Sequence, residues 1–120
     1  MSKAGKRTAE WILVPVFALL FSTHLLAWDP AGTWGIEGRS DATLIITKVD
    51  DHYVVDAKSA YSKHKAIGYF QDNQLILAYV VLTENQSGFI TLKRLDDNRM
   101  AQVSLNFEGA VVWTGVLVRK

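Results

Sequence analysis

The sequence predicts an all-β fold, an eight-stranded antiparallel up-and-down β-barrel behind an N-terminal signal segment. Three observations lead there. After Pro30 there is no further proline and no stretch with helical spacing; short runs rich in Val, Ile, Leu and aromatics alternate with Asp, Asn and Gly. Three of the hairpins that these runs imply each gather mostly apolar partners on one face. The first run, around Asp29-Pro30-Ala31-Gly32-Thr33-Trp34, and the last, 111–119, can pair with each other, which would leave no open edge.

Residues 1–27 read as an export segment. Lys3, Lys6 and Arg7 precede an apolar stretch, 11–21, that is short for a membrane span, and Ala27 is an acceptable residue before a cut. The alternative is an uncleaved anchor, the one case in which a membrane would be a partner. With the cut, residues 28–120 form a single β-barrel domain, periplasmic or secreted. Loss of Lys3, Lys6, Arg7 and Glu10 turns the formal charge of +1 into −1. A near-neutral chain without a basic block is a poor match for nucleic acid. There is no cysteine, so disulfides and thiolate metal sites are excluded, and the domain must rest on its apolar core.

The strands are expected at 33–38, 42–49, 52–58, 65–71, 74–82, 88–95, 100–107 and 111–119. Turns fall at Asp50-Asp51, Asp72-Asn73, Asp96-Asp97-Asn98-Arg99 and Glu108-Gly109. Asx residues suit such turns because they bond to nearby backbone and tolerate left-handed angles. The connections 59–64 and 83–87 are longer. Since strand side chains alternate with period two, turn lengths set the inward face. Two-residue loops pair Lys48 with Tyr53, Ile46 with Val55, Leu44 with Ala57, then Phe70 with Leu75, Gly68 with Leu77 and Ala66 with Tyr79. A four-residue loop at 96–99 pairs Arg94 with Ala101, Leu92 with Val103 and Ile90 with Leu105, leaving Gln102, Ser104 and Asn106 outside. For the last hairpin a three-residue loop through Ala110 is preferred to a two-residue turn. It turns in Val111, Trp113, Gly115 and Leu117 against Phe107, Leu105 and Val103.

Gly32-Thr33-Trp34 resembles the G-x-W signature that opens the first strand of lipocalins, and avidins begin similarly. The resemblance implies a barrel that holds a small ligand. It also implies barrel closure by a basic residue of the last strand packed across Trp34: Arg119 by placement, with Arg94 a possible second. The chain lacks an evident C-terminal helix and a recognisable biotin-binding set, so ligand identity does not carry over.

The up-and-down order gathers Trp34, Lys48, Tyr53, Phe70, Leu75, Arg94 and Arg119 at one end, which should be plugged. Lys48, Arg94 and Arg119 could form an anion site there; the preferred reading is that they bury their stems and keep their charges in water. Small residues, Gly38, Ala42, Ala57 and Ala66, mark the other end. A pocket is expected there, lined by those alanines with Tyr79, Val81, Phe107, Val111 and Trp113, unless Phe107, Tyr79 and Trp113 lean across and fill it. His52 is expected outward and His64 in a loop at the opposite end, so the two should not share a metal. No nucleophile–base–orienter set can be read, and no cofactor is implied. The leading function is therefore a non-enzymatic binding barrel for a small, largely apolar ligand. The alternative is a protein–protein interaction module, an inhibitor or envelope-assembly partner with a filled core, working or self-associating through outward Ile67, Tyr69, Ile76, Ala78 and Val80.

Overall fold

A computed structural model describes residues 27–120; the expected export segment otherwise lies outside the described residues. The strands are β1 (Gly32–Ile36), β2 (Arg39–Val49), β3 (His52–Lys58), β4 (Lys63–Gln71), β5 (Gln74–Val81), β6 (Gln86–Asp96), β7 (Arg99–Asn106) and β8 (Val111–Arg119). Each is antiparallel to the next, and β8 returns to β1, so the sheet closes into a barrel with up-and-down order. Closure runs through Trp34 opposite Arg119, Gly35 opposite Val118 and Ile36 opposite Leu117. Two backbone hydrogen bonds extend it, Glu37 N–H to Val116 O at 2.8 Å and Lys120 N–H to Thr33 O at 2.9 Å.

The β2–β3 and β4–β5 hairpins have the expected registers, Lys48 opposite Tyr53 and Phe70 opposite Leu75. Asp50, Asp72 and Asn73 sit at φ of 55°, 54° and 61°, the left-handed region that short Asx side chains enter most easily. The inward alternation that follows buries Leu44, Ile46, Tyr53, Val55, Ala66, Leu75, Leu77 and Tyr79 in one continuous core.

The β6–β7 hairpin departs from expectation by one residue. Asp96 pairs with Arg99 around a tight turn at Asp97-Asn98, and the register shifts between Arg94 and Asp96, a bulge that leaves Leu95 outside. The Asp96 carboxylate holds this turn, accepting from Asn98 N–H at 2.9 Å and from Arg99 Nε at 2.7 Å. A slip of one residue moves a whole strand's side chains to the opposite face. Arg94 therefore pairs with Met100, Leu92 with Gln102 and Ile90 with Ser104. Met100, Gln102, Ser104 and Asn106 point inward in place of Ala101, Val103, Leu105 and Phe107.

The last hairpin keeps the expected inward face at Trp113, Gly115 and Leu117, which stand opposite Ser104, Gln102 and Met100. Its connection is longer than three residues. The Asn106 side-chain oxygen accepts from Glu108 N–H and Ala110 N–H, and a second register shift precedes Trp113. Two expected pocket residues are thereby corrected. Phe107 lies outside, 65% exposed, with its ring edge-on to Phe89 at 5.2 Å, and Val111 is 59% exposed.

Candidate functional site: a cavity open at one end

The two barrel ends differ in what their inward side chains fill. At the end where β1 begins and β8 finishes, Trp34 is fully buried and its indole N–H donates to Pro30 O at 2.9 Å. The Arg119 guanidinium lies over the Trp34 ring at 4.4 Å and donates to Ala31 O at 2.9 Å and Asp29 O at 3.1 Å. A cation over an indole contributes about 0.5–2 kcal/mol. Arg94 lies at 5.0 Å over Trp28 and ion-pairs with Asp97. These guanidiniums are engaged with protein groups, as closing residues would be, and Lys48 is exposed. Trp28 completes the plug, a role the sequence reading did not assign. Its indole N–H donates to Asp97 O at 2.9 Å, and its ring meets Trp34 at 6.3 Å and Phe70 at 5.7 Å. Beneath it the Tyr53 hydroxyl donates to Asp29 at 3.1 Å. Burial, reinforced by that carboxylate, pushes the phenol up to about 12.

The opposite end holds a cavity of about 350 Å³. Six of the eight residues expected to line it do so: Ala42, Ala57, Ala66, Tyr79, Val81 and Trp113. Leu44, Val55, Leu77, Ile90 and Leu92 complete its apolar walls. Glycines stand beside the two large rings of the lining. A Cβ at Gly88, opposite Tyr79 in the ladder, would collide with the Leu105 carbonyl and stand 3.0 Å from the Tyr79 ring, and one at Gly115 would strike the Trp113 indole.

The polar part of the lining comes largely from residues the sequence reading placed elsewhere. Gln102 and Ser104 face the cavity because of the β6–β7 bulge. Gln102 Nε2 donates to Ser104 Oγ at 2.9 Å, while Gln102 Oε1 is buried without a partner. An unpaired buried acceptor of this kind costs about 1–3 kcal/mol. His64 belongs to β4 rather than to a loop. It stands opposite Ala57 and Val81 and stacks on Tyr79 at 6.2 Å. Burial holds its pKa below the ordinary histidine range, against an opposing pull from Glu84.

His64 Nε2 and Ser62 Oγ share a hydrogen bond at 3.2 Å, and Ser62 Oγ is 3.3 Å from Ser59 Oγ. Among the described residues no carboxylate is hydrogen-bonded to the other ring nitrogen, so the dyad lacks the group that would orient a catalytic base. His52 begins β3 at the plugged end and lies beside Asp51 at 3.5 Å, separate from His64. Among the described residues no group of three His, Cys, Asp or Glu side chains is placed to hold a metal ion.

At the mouth, Arg39 grips Asp41 through two contacts at 3.2 and 3.1 Å, and Asp41 accepts from Ala60 N–H at 3.3 Å. The guanidinium, then that amide, hold the Asp41 carboxyl below its usual range. The start of β2 is thus tied to the adjoining β3–β4 loop at the rim. Lys58 and Glu84 complete the charged rim. Comparison with protein-family models, with curated proteins and with solved structures finds no match to this chain.

Proposed function

We propose that this chain is an exported, non-enzymatic binding barrel for a small, largely apolar ligand, of the lipocalin or avidin kind. The observation that carries the reading is the one-ended cavity, about 350 Å³ with apolar walls and a few polar groups. Ligand sites are concave, mostly apolar and begin at about 300 Å³, so this one suits a small molecule. An eight-stranded barrel is just wide enough for one such guest, and here small side chains, Ala42, Ala57 and Ala66, fill little of the open end. The closing pair Trp34 and Arg119 supports the lipocalin likeness. Export rests on the charge and hydropathy pattern of residues 1–27.

Native mass spectrometry of freshly purified protein tests the reading. The expected result is one small molecule retained per chain. A ligand-free chain that also ignores added apolar dye would contradict it.

A second reading, an interaction module, is favoured by the outer face of β4 and β5. Ile67, Tyr69, Ile76 and Val80 are each about half exposed, and Ile67 pairs with Ala78 and Tyr69 with Ile76 across the ladder. A contiguous apolar row of that kind marks self-association or partner surfaces. In the same spectrum it predicts a dimer or a captured protein in place of a small molecule.

A further inference from the structure

The polar groups at the inner end of the cavity limit the head groups it would accept. Read from the mouth inward, the cavity-side residues of β7 are Asn106, Ser104, Gln102 and Met100. The Asn106 side-chain oxygen is taken up by the amides of Glu108 and Ala110. Met100 is fully buried and belongs to the core below. Gln102 and Ser104 are thus the last polar side chains on this strand before the plug, and Gln102 stands opposite Leu92, which is 1% exposed.

Their hydrogen-bonding capacity is only partly used. Gln102 Oε1 has no donor and is closed off as the side chain stands, so a ligand meets it once the amide turns into the cavity. Ser104 Oγ accepts from Gln102 Nε2, which leaves the serine's own O–H proton available. One acceptor and one donor therefore belong to neighbouring side chains of the cavity lining. Charged heads do not match this pair. A carboxylate brings acceptors only, leaves Oε1 unpaired and sets a negative charge beside Leu92 and Met100. The lining cations, Arg39 and Lys58, stand at the rim, and Arg39 is already held by Asp41. An ammonium would satisfy Oε1 but meets no carboxylate there, since Glu84 also belongs to the rim. Unpaired charge in such surroundings is strongly disfavoured.

We propose that the ligand of this cavity is a neutral amphiphile. Its head is an alcohol or carboxamide that gives a hydrogen bond to Gln102 Oε1 and takes one from Ser104 Oγ, and its apolar body runs outward toward the mouth. The assignment rests on the proposed ligand-binding function and narrows its ligand to one head-group class and one orientation.

Isothermal titration calorimetry on the purified chain tests it with four probes of equal tail length: octan-1-ol, octanamide, octanoate and octylammonium, at pH 7. The expected result is that the alcohol and the amide bind at least about tenfold more tightly than the two ions, the difference of roughly one well-made hydrogen bond. In Gln102→Leu, and separately in Ser104→Ala, that preference should fall below about threefold. Ser104→Ala changes little volume, so the test stands even where Gln102→Leu does not fold. Equal binding of all four probes, a preference for an ion, or a preference that survives both variants would overturn the head-group assignment while leaving the binding barrel intact. Absence of binding by all four, joined by failure to take up an apolar dye, would overturn the binding function itself.

Discussion

At the end where β1 begins, Trp28, Trp34, Tyr53 and Phe70 close on one another under Arg94 and Arg119; at the other, the same inward alternation carries Ala42, Ala57 and Ala66. The strand geometry is common to both ends, so side-chain volume and hydrogen-bond completeness account for the difference. In the plug, both indole N–H groups and the Tyr53 hydroxyl have acceptors, and Arg119 has three carbonyls, those of Asp29, Ala31 and Asp97. In the cavity, small side chains leave space unfilled and one buried amide oxygen goes unpaired. Dense packing and complete hydrogen bonding mark one end, and open space with an unpaired acceptor marks the other, where the proposed ligand site lies. Sites of function are commonly built from groups that a purely stable core would not keep.

The largest effect should follow from opening the plug. Trp34→Ala removes a fully buried indole that anchors both Pro30 and the Arg119 stack, and is expected to cost about 3–5 kcal/mol in guanidinium unfolding. A cost below about 1 kcal/mol would break the contrast between the ends, because surface positions behave that way. A smaller, pH-dependent effect belongs to Tyr53, whose phenol is raised from 10.0 to about 12. The folded chain then keeps a proton that the unfolded chain releases. This contribution is complete below pH 10 and is lost as pH rises through about 12. Thermal melts from pH 9 upward should show a shallower alkaline decline in Tyr53→Phe than in wild type; equal slopes would remove Tyr53 from the account.

Much of the barrel was legible because local turn chemistry and the hydrophobic alternation agreed. Asp50 and Asp72-Asn73 marked two-residue turns, and the residues on either side then paired apolar with apolar. The β6–β7 hairpin misled because its extra residue is Leu95, which carries no glycine or proline to announce a bulge. A plain four-residue loop also put Val103 and Leu105 inside, the hydrophobically attractive choice. That one residue concealed the polar floor, since it sent Gln102 and Ser104 to the outer face, and it placed Phe107 in a pocket from which it is absent. Trp28 escaped notice because it stands next to the expected cut at Ala27, and its packing depends on Asp97 and Phe70, distant in sequence. The plug's other members were readable from their phase; the closeness of Tyr79 to Gly88 and of Trp113 to Gly115 was not, because it depends on contacts between side chain and backbone.

The smallest expected change in stability is also the most direct test of the contrast between the ends. Ala57 lines the cavity opposite Leu44 and His64, so a phenyl ring placed there enters open space. Titration of wild type and Ala57→Phe with N-phenyl-1-naphthylamine, paired with thermal melts, is the decisive measurement. The account predicts a wild type that binds the dye and a mutant that melts within about 1 kcal/mol of it but binds no dye, because the ring occupies the ligand's place. A wild type that never takes up dye, with a mutant destabilised by about 1–3 kcal/mol as in an overpacked core, would contradict it.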